Sequence, residues 1–245
     1  MRDWRGKRYW LVGASEGLGA ALARQLSAAG CELVLSARSA DRLQALADEL
    51  PGPVSVVPVD VASSESVAEA ARQAGEIDGL VYLAGVYWPQ RAQDWNAEQV
   101  EAMCDINFTG CARVVGAVIG DMVARDRGHV VLTGSLSGFR GLPGATGYGA
   151  SKAGVMWLAE GMHADLRHTG VKVQIANPGF IETRLTAKND FDMPFLMTAE
   201  EAARHMFELM CSERFKRSFP TLFSWLFRGG QILPDRLWYG LFARK

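Results

Sequence analysis

The chain has 245 residues, of which 49% are hydrophobic and 22% charged, which is enough to bury one large core. Lys and Arg number 26 against 27 Asp and Glu, and the net charge of −1 gives no sign of a nucleic-acid partner. The four cysteines lie far apart without a CxxC pair, so free thiols in a reducing compartment are favoured over a disulfide framework. They are Cys31, Cys104, Cys111 and Cys211.

From the sequence we expect neither an export signal nor a membrane span. The N-terminal segment MRDWRGKR is polar and basic, and the apolar stretch behind it is too short for a signal peptide. We expect no apolar run of the roughly 18–20 residues that a membrane span needs. These patterns predict a cytoplasmic protein.

Apolar and amphipathic segments alternate along the first two-thirds of the chain. In chain order, short apolar segments predict strands over residues 9–12, 32–36, 54–59, 79–83, 129–133 and 171–176. Helical periodicity predicts helices over residues 18–28, 41–50, 64–74, 97–124 and 148–167. This alternation, with continuously apolar strands, predicts an α/β fold with a doubly wound parallel sheet covered on both faces.

The domain organisation follows from composition. No Pro/Gly/Ser-rich linker, internal repeat or low-complexity segment divides the chain, so we predict a single domain. The composition changes at about Glu213. Residues 1–212 are therefore assigned to the main domain, and residues 213–245 to a short helical C-terminal extension.

The segment GASEGLG, residues 13–19, places three glycines between the first predicted strand and the first predicted helix. Gly13 permits a tight turn, Gly17 lets the backbone approach a pyrophosphate, and Gly19 allows close helix–strand packing. The start of the helix offers free N–H groups to the phosphates. The layout predicts a Rossmann-type dinucleotide site. Its GxxxGxG spacing differs from the commoner GxGxxG, and a glycine-rich turn without a ligand is the structural alternative.

Tyr148 and Lys152 are four residues apart, so on a helix they lie on one face. A phenol, whose pKa is about 10, exchanges protons at neutral pH only when its anion is stabilised, and a neighbouring ammonium does this. Ser135 lies just beyond the C-terminal end of the fifth predicted strand, at the edge where open α/β sheets bind ligands. Its hydroxyl could hold a substrate carbonyl while Tyr148 supplies the proton. Taken singly, each has a structural alternative: a surface helix for the pair, and a cap or turn for Ser135.

Further motifs lie near the ends of other predicted strands, and together with these residues they resemble the short-chain dehydrogenases/reductases. The motifs are DV at 60–61, YLAG at 82–85, DINFTG at 105–110, LTGSLSG at 132–138, YGASK at 148–152 and NPGFIET at 177–183. The resemblance covers roughly residues 7–211. It implies an oxidoreductase that transfers a hydride between a nicotinamide cofactor and a carbonyl or secondary alcohol.

The resemblance also assigns roles to residues. It implies a catalytic set of Asn107, Ser135, Tyr148 and Lys152, in which Ser135 and Tyr148 touch the substrate and Asn107 positions a water that links Lys152 to solvent. The implied cofactor-binding residues are Gly13, Ser15, Gly17, Leu18, Gly19, Arg38, Asp60, Val61, Ala84, Gly85, Tyr148, Lys152, Pro178, Gly179, Ile181 and Thr183. Tyr82 and Leu83 stand where the family usually has two asparagines, which indicates altered bracing of the fourth strand beside a retained cofactor surface.

The end of the second predicted strand bears on the choice of nicotinamide cofactor. Ala37 stands where NAD-specific relatives place an acidic residue, and Arg38 suits the 2′-phosphate of NADP, to which Ser15 could add a hydroxyl donor. Glu16 opposes this assignment, because a carboxylate repels a phosphate. Either Glu16 turns outward to Arg38 or Arg42, or the enzyme tolerates both cofactors. We predict NADP as the preferred cofactor and NAD as the alternative.

Other functions stay open at this point. One is an NAD-linked dehydrogenase of the same family; another is a non-catalytic nucleotide-binding redox sensor or scaffold, against which the complete catalytic set argues. The resemblance implies that Ile181–Pro194 forms a variable lid over a small carbonyl or alcohol substrate. The histidines and cysteines show no metal-ligand spacing, so we expect no metal. The resemblance implies a homodimer or homotetramer.

The C-terminal segment 214–245 combines eight aromatic residues with a single acid, Asp235. Residues 218–221 predict a short edge strand limited by Pro220, and residues 221–228 and 234–245 predict two short helices. The favoured interpretation is that this segment packs on its own domain, walls the substrate pocket or lies between subunits. Peripheral membrane contact, which would favour a hydrophobic substrate, is the alternative. The seven basic residues are Arg214, Lys216, Arg217, Arg228, Arg236, Arg244 and Lys245.

Overall fold

The computed structural model describes residues 3–188 and 192–242, and within them a sheet of seven parallel strands forms the centre of the protein. The strand order is β3-β2-β1-β4-β5-β6-β7. The order reverses between β1 and β4, which leaves a crevice beyond the carboxyl ends of these strands. The predicted Rossmann-type α/β fold is confirmed. The strands are β1 (Arg8–Val12), β2 (Glu32–Ser36), β3 (Val54–Val56), β4 (Gly79–Tyr82), β5 (Gly128–Thr133), β6 (Val171–Pro178) and β7 (Lys216–Phe219).

The helices cover both faces of this sheet. Helices α1 and α7 pack on one face through side chains such as Leu22 and Met206. Helices α3, α5 and α6 pack on the other face through Val67, Val114 and Val155. Burial of both faces explains why the strands are continuously apolar. The helices are α1 (Gly17–Ala28), α2 (Ala40–Glu49), α3 (Ser64–Ala74), α4 (Ala97–Cys104), α5 (Gly110–Ala124), α6 (Thr146–Leu166), α7 (Ala199–Met210), α8 (Thr221–Gly230) and α9 (Asp235–Phe242).

The strand register brings the carboxyl ends of the central strands side by side. Val12 pairs with Tyr82, and Tyr82 pairs with Leu132. Thr133 in turn pairs with Ala176. Because all the strands are parallel, the segments that follow β1, β4, β5 and β6 meet at one edge of the sheet.

Two strands differ from their predicted bounds. β3 ends at Val56 instead of residue 59, although the N–H groups of Val57 and Val59 still donate to the carbonyls of Leu35 and Ala37. β7 covers Lys216–Phe219 instead of residues 218–221, pairs with β6 alone and lies at the edge of the sheet. Pro220 directly precedes α8. Most other predicted ends move by one or two residues, as helix and strand ends commonly do.

The helix predicted over residues 97–124 is interrupted, because a π-helical turn, Asp105–Thr109, separates α4 from α5. By length and composition alone, Ala97–Ala124 could cross a membrane, so the expectation that no such run exists was wrong. The buried side chains of α5 pack against the sheet, Val118 and Met122 among them. This segment therefore has the apolarity of a core helix.

Helix α7 is absent from the predicted elements. It begins with a capping box: the Thr198 hydroxyl accepts the Glu201 N–H at 3.1 Å, and the Glu201 carboxylate accepts the Thr198 N–H at 3.0 Å. Ala202, Met206 and Leu209 are buried at helical spacing. The capping sequence and this spacing are the signals that could have revealed the helix.

Helices α8 and α9 of the C-terminal extension pack on the loop that follows β5. Trp238 of α9 is fully buried, and its indole N–H donates to the Gly141 carbonyl at 3.0 Å. Leu136, Phe227 and Trp238 form a small apolar cluster of their own. Both predicted helices of the extension are thus present. Arg244, Lys245 and the side chain of Phe242 lie outside the described residues, and the boundary at residues 212/213 stays a prediction.

Arg140 ties this loop to the extension. Its guanidinium donates to the carbonyls of Gly230 and Leu233 and pairs with the Asp235 carboxylate. The same guanidinium lies 5.4 Å from the ring centroid of Trp238, within cation–π range. Its side chain is only 14% exposed. Arg140 therefore links the start of α9 to the segment that carries Ser135.

Candidate active site

The glycine turn between β1 and α1 contains backbone that only glycine adopts readily. Gly13 has φ +96° and Gly17 has φ +53°, both in the left-handed region. A Cβ at Gly13 would collide with the backbone of Ala84, and a Cβ at Gly19 with the carbonyl oxygen of Gly13. A Cβ at Gly17 would lie 3.0 Å from Thr183 Cγ2. The turn therefore packs against the dipeptide after β4 and faces the loop after β6.

Helix α1 begins without a side-chain cap. Glu16 occupies the N-cap position, but its carboxylate accepts no N–H of the helix. The first N–H groups of a helix lack intrahelical acceptors and carry a partial positive charge. Gly17 and Leu18 line the cleft at this point. The turn fits a pyrophosphate, since a phosphate can replace the absent cap and the glycines leave room for it.

A large cleft at the carboxyl edge of the sheet collects the predicted cofactor residues. Its volume is about 1980 Å³, and Ser135, Tyr148 and Lys152 also line it. Asn107 is buried and does not line the cleft. The predicted cofactor residues on its wall are Gly13, Ser15, Gly17, Leu18, Gly19, Arg38, Asp60, Val61, Ala84, Gly85, Pro178, Gly179, Ile181 and Thr183.

Ser135 both caps a local turn and contacts Tyr148. Its Oγ accepts the Ser137 N–H at 3.2 Å and the Ser137 hydroxyl at 2.9 Å. A hydroxyl has two acceptor lone pairs and one donor, so the Ser135 proton remains for another acceptor. Ser135 also lies close enough to the Tyr148 side chain to lower the pKa of its phenol. Ser135 can therefore cap this turn, which is the structural alternative given above, and still present its hydroxyl to a substrate.

Tyr148 lies near the start of α6, against the ring of Tyr87. The two ring centroids are 4.9 Å apart, with the rings edge to face. Burial raises the pKa of Tyr148 to about 12, and the nearby Ser135 side chain opposes this rise. The phenol is therefore protonated at neutral pH in the protein alone.

Lys152 lies one helical turn after Tyr148 and is almost fully buried. Its Nζ donates to the Thr133 carbonyl at 2.9 Å and lies 5.8 Å from the centroid of the Tyr148 ring. Burial lowers the pKa of Lys152 to about 8, because the ammonium loses hydration. The helical spacing thus brings a cation close to the phenol, as the sequence predicts.

Asn107 lies in the π-helical turn with its side-chain amide fully engaged. Its Nδ2 donates to the Val86 carbonyl and to Ser151 Oγ, each at 3.0 Å, and its Oδ1 accepts the Val86 N–H at 2.7 Å. A Cβ at Gly85 would lie 3.3 Å from Asn107 Oδ1 and 3.7 Å from Lys152 Nζ. Asn107 and Lys152 therefore approach the same point, while the predicted water relay stays a prediction.

Tyr82 explains one departure from the family's motifs. Its hydroxyl donates to the carbonyl of Ile106, in the π-helical turn, at 2.6 Å. Burial raises the pKa of Tyr82 above its ordinary value, so the phenol stays a donor. The tyrosine thus joins the end of β4 to the segment that holds Asn107, while Ala84 and Gly85 keep their place on the cleft wall.

The rim near Arg38 is rich in arginine. Arg38 is exposed and makes no ion pair with any residue that the structure describes. The Glu16 carboxylate pairs with Arg42 at 2.7 Å and with Arg184 at 3.3 Å. Glu16 therefore turns to Arg42, one of the two arginines considered from the sequence, whereas the pair with Arg184 was not foreseen. Arg38, Arg42 and Arg184 all line the cleft, and Glu16 pairs with the last two.

The wall residues missed from the sequence include Tyr87, Phe223 and Phe227. Tyr87 follows the YLAG motif directly, and its position after a strand end was an available signal. Phe223 and Phe227 are four residues apart in the extension, and only their helical spacing marked them. Among the described residues, no group of His, Cys, Asp and Glu side chains could hold a metal ion.

Comparison with known proteins settles the family. The sequence pattern described as short chain dehydrogenase matches residues 7–193. The chain belongs to this family. An uncharacterized oxidoreductase from Myxococcus xanthus (strain DK1622) is 39% identical over 234 residues, which are 93% of this chain and 92% of that protein.

Two solved structures are similar to this enzyme. A short chain dehydrogenase/reductase from Burkholderia phymatum in complex with NAD has a TM-score of 0.86 at 24% identity, covering 93% of this chain and 94% of that one; this likeness concerns the fold. A short-chain dehydrogenase from Sphingobium yanoikuyae in complex with NADPH has a TM-score of 0.80 at 26% identity, covering 96% and 92%. The enzyme is an NAD(P)-dependent oxidoreductase.

Proposed function

We propose that the enzyme transfers a hydride between NADP(H) and a carbonyl or secondary alcohol substrate, with Tyr148 as the general acid and base. The observation that carries this proposal is the convergence of Ser135, Tyr148 and Lys152 on one cleft that begins at the glycine turn. A phenol, a hydroxyl and a buried ammonium at such a site can polarise a carbonyl oxygen and protonate it.

The proposed reduction adds a hydride to the carbonyl carbon and a proton to its oxygen. When bound, the nicotinamide ring supplies the hydride. The Ser135 hydroxyl donates a hydrogen bond to the carbonyl oxygen, and Tyr148 gives its proton to that oxygen as the π electrons of the C=O bond move onto it. The phenolate that remains is stabilised by the ammonium of Lys152. In the reverse direction, the phenolate removes the alcohol proton.

The pKa values support the reductive direction at neutral pH. The pKa of Tyr148, about 12, keeps its proton in place until an oxyanion forms beside it. The pKa of Lys152, about 8, leaves this side chain mostly protonated at pH 7. Alcohol oxidation needs the phenolate, so it becomes easier as the pH rises.

The residues that would hold the cofactor follow from their places on the wall. The N–H groups at Gly17 and Leu18 suit the pyrophosphate. Asp60 and Val61 would border the adenine, and the loop from Pro178 to Thr183 the nicotinamide. Arg38, which lines the cleft and pairs with no carboxylate among the described residues, supports NADP over NAD. Use of NAD is the alternative, because Glu16 adds a carboxylate to the same rim.

The test is NADPH oxidation with a panel of ketones and aldehydes, compared between the unmodified enzyme and Tyr148→Phe. General acid–base groups contribute about 10²–10⁴ in rate, so Tyr148→Phe should lower kcat by that factor while the NADPH Kd stays within a few-fold. Tyr87→Phe is the matched control, since Tyr87 packs against the same ring. A Tyr148→Phe enzyme with half the normal turnover would refute the assignment, and the absence of turnover with every substrate would favour the non-catalytic sensor or scaffold.

The proposed function also includes what the C-terminal extension contacts. We propose that its main role is on its own subunit, in an enzyme that forms a homodimer or homotetramer; peripheral membrane contact is the alternative. Leu222 and Trp225 of α8 are exposed, at 77% and 66%. Truncation after Ser212 would remove β7, so Leu222→Glu and Trp225→Glu are the cleaner variants. Co-sedimentation with anionic liposomes at low salt, lost in these variants, would support membrane contact.

A further inference from the structure

We propose that Leu136, Leu142, Phe180, Phe223 and Phe227 form an apolar subsite for a substituent of the carbonyl substrate. The natural substrate would then carry a sizeable alkyl or aryl group next to its reacting carbon. This inference names the substrate class of the proposed reaction and rests on that proposed function. All five residues line the cleft, and none of them is charged or hydrogen-bonds through its side chain.

The subsite is adjacent to the reacting groups. Leu136 directly follows Ser135 in the chain. A Cβ at Gly179 would lie 3.3 Å from Leu136 Cδ1 and 3.3 Å from Phe223 Cδ1. Gly179 belongs to the loop that would border the nicotinamide. Phe223 therefore reaches the point where the segment after Ser135 and the loop at Gly179 converge.

The aromatic side chains of this wall support one another. Phe223 packs against Phe180 and Phe227, with ring centroids 5.9 and 5.0 Å apart. Phe227 in turn packs on Trp238 at 6.3 Å. Aromatic contacts of this kind stabilise a fixed arrangement. The surface that Phe223 presents to the cleft is therefore held from behind by buried rings.

Arg140, which lies between Leu136 and Leu142 in the chain, does not line the cleft. The guanidinium of Arg140 is engaged by the Gly230 and Leu233 carbonyls and by the Asp235 carboxylate, all in the extension. Its charge is thus matched there and is not available to bind an acidic substrate. Arg140 acts as a positioning residue that holds α8 and α9 against the cleft.

The experiment measures kcat/KM with NADPH for methyl ketones of increasing chain length, from butanone to decanone, and for acetophenone. Burial of each methylene should raise kcat/KM by roughly fourfold until the subsite is full. A continuous rise with alkyl length identifies a lipid-like chain, and a gain confined to acetophenone identifies a flat ring. Equal kcat/KM values throughout, with butanone reduced, would overturn the subsite and leave the proposed function intact.

Substitutions in α8 test which side chain causes the dependence of kcat/KM on ketone length. Phe223→Ala should lower kcat/KM for decanone at least tenfold more than for butanone, and Phe223→Leu, which keeps apolar bulk, should restore most of the loss. Trp225→Ala is the matched control, because Trp225 lies on the same helix, is exposed and does not line the cleft. An equal loss for both ketones in Phe223→Ala would contradict the subsite.

A binding measurement separates this inference from the proposed function. If the enzyme reduces none of the ketones, thermal unfolding of the NADPH-bound protein is followed with decanol or with butanol. A rise in Tm with decanol that Phe223→Ala abolishes and Trp225→Ala retains supports the subsite without any turnover. The same Tm with both alcohols overturns it.

Discussion

The two ends of the cleft are built in different ways. At the glycine turn, the wall consists largely of backbone: Gly13 and Gly17 adopt left-handed conformations, and the N–H groups of α1 face the cleft. At the opposite end, the wall consists of side chains from distant parts of the chain, Leu136 from the loop after β5 and Phe223 from α8. The comparison teaches that a ligand common to a family is bound by a short local motif, whereas the variable substrate meets a surface assembled by tertiary packing.

Lys152→Met should cause the largest loss of turnover. Lys152 lies between the two ends of the cleft, and we propose that it both contacts the cofactor and supports Tyr148. Loss of the ammonium removes the support of the Tyr148 phenolate, and we expect kcat to fall about 10²–10⁴-fold. In the unmodified enzyme, kcat/KM for reduction should be level at low pH and fall as the pH rises through about 8, where Lys152 loses its proton. Lys152→Arg should move this fall to higher pH. The pH–rate profiles of the unmodified enzyme and of Lys152→Arg measure these falls in kcat/KM. A fall at the same pH in both enzymes would contradict the proposed role of Lys152.

The second prediction tests whether the glycine turn needs backbone without a side chain at Gly13. Gly13→Ala should lower the free energy of unfolding by about 3 kcal/mol, because its Cβ meets Ala84 and its φ is left-handed. Gly120→Ala, in α5, is the control: nothing lies within 4 Å of its Cβ, and alanine there should stabilise by about 0.5–1 kcal/mol. Urea unfolding measures both. Similar changes for the two variants would show that the turn tolerates a side chain.

Arg38→Ala tests the one side chain at the glycine end that bears on cofactor choice. A guanidinium bonded to a phosphate contributes about 1.5–3 kcal/mol, so NADPH should bind about tenfold or more weakly while NADH binding changes little. Fluorescence titration gives both Kd values. Arg24→Ala, whose exposed side chain pairs with Glu49 elsewhere, is the control. Equal losses for NADPH and NADH would show that Arg38 does not contact the phosphate.

The smallest effect concerns Glu16. Glu16→Gln removes a carboxylate that pairs with Arg42 and Arg184, so both guanidinium groups become available to a phosphate. Because all of these side chains are partly exposed, we expect only a two- to threefold tighter NADPH Kd. Raised salt should reduce the difference. An unchanged Kd would mean that Glu16 and its partners lie away from the phosphate.

Much of the active site was predictable because its signals are local. The turn from Gly13 to Gly19 is one short segment, and Tyr148 and Lys152 share a helix face by spacing alone. Asn107 was identified as a residue but not as part of a π-helical turn. That turn is held by hydrogen bonds from Asn107 to Val86 and Ser151, and by the Tyr82 hydroxyl, which come from other elements.

The sequence by itself determined the fold, the glycine turn and the helix face that Tyr148 and Lys152 share, because apolar alternation, glycine spacing and helical spacing act over a few residues. Tertiary structure alone decided where Glu16 turns, how Arg140 ties α9 to the loop after β5, and which side chains of the extension reach the cleft. These contacts join residues far apart in the chain, such as Arg140 and Asp235, which are 95 positions apart. Their partners are set by packing between elements, which no local pattern encodes.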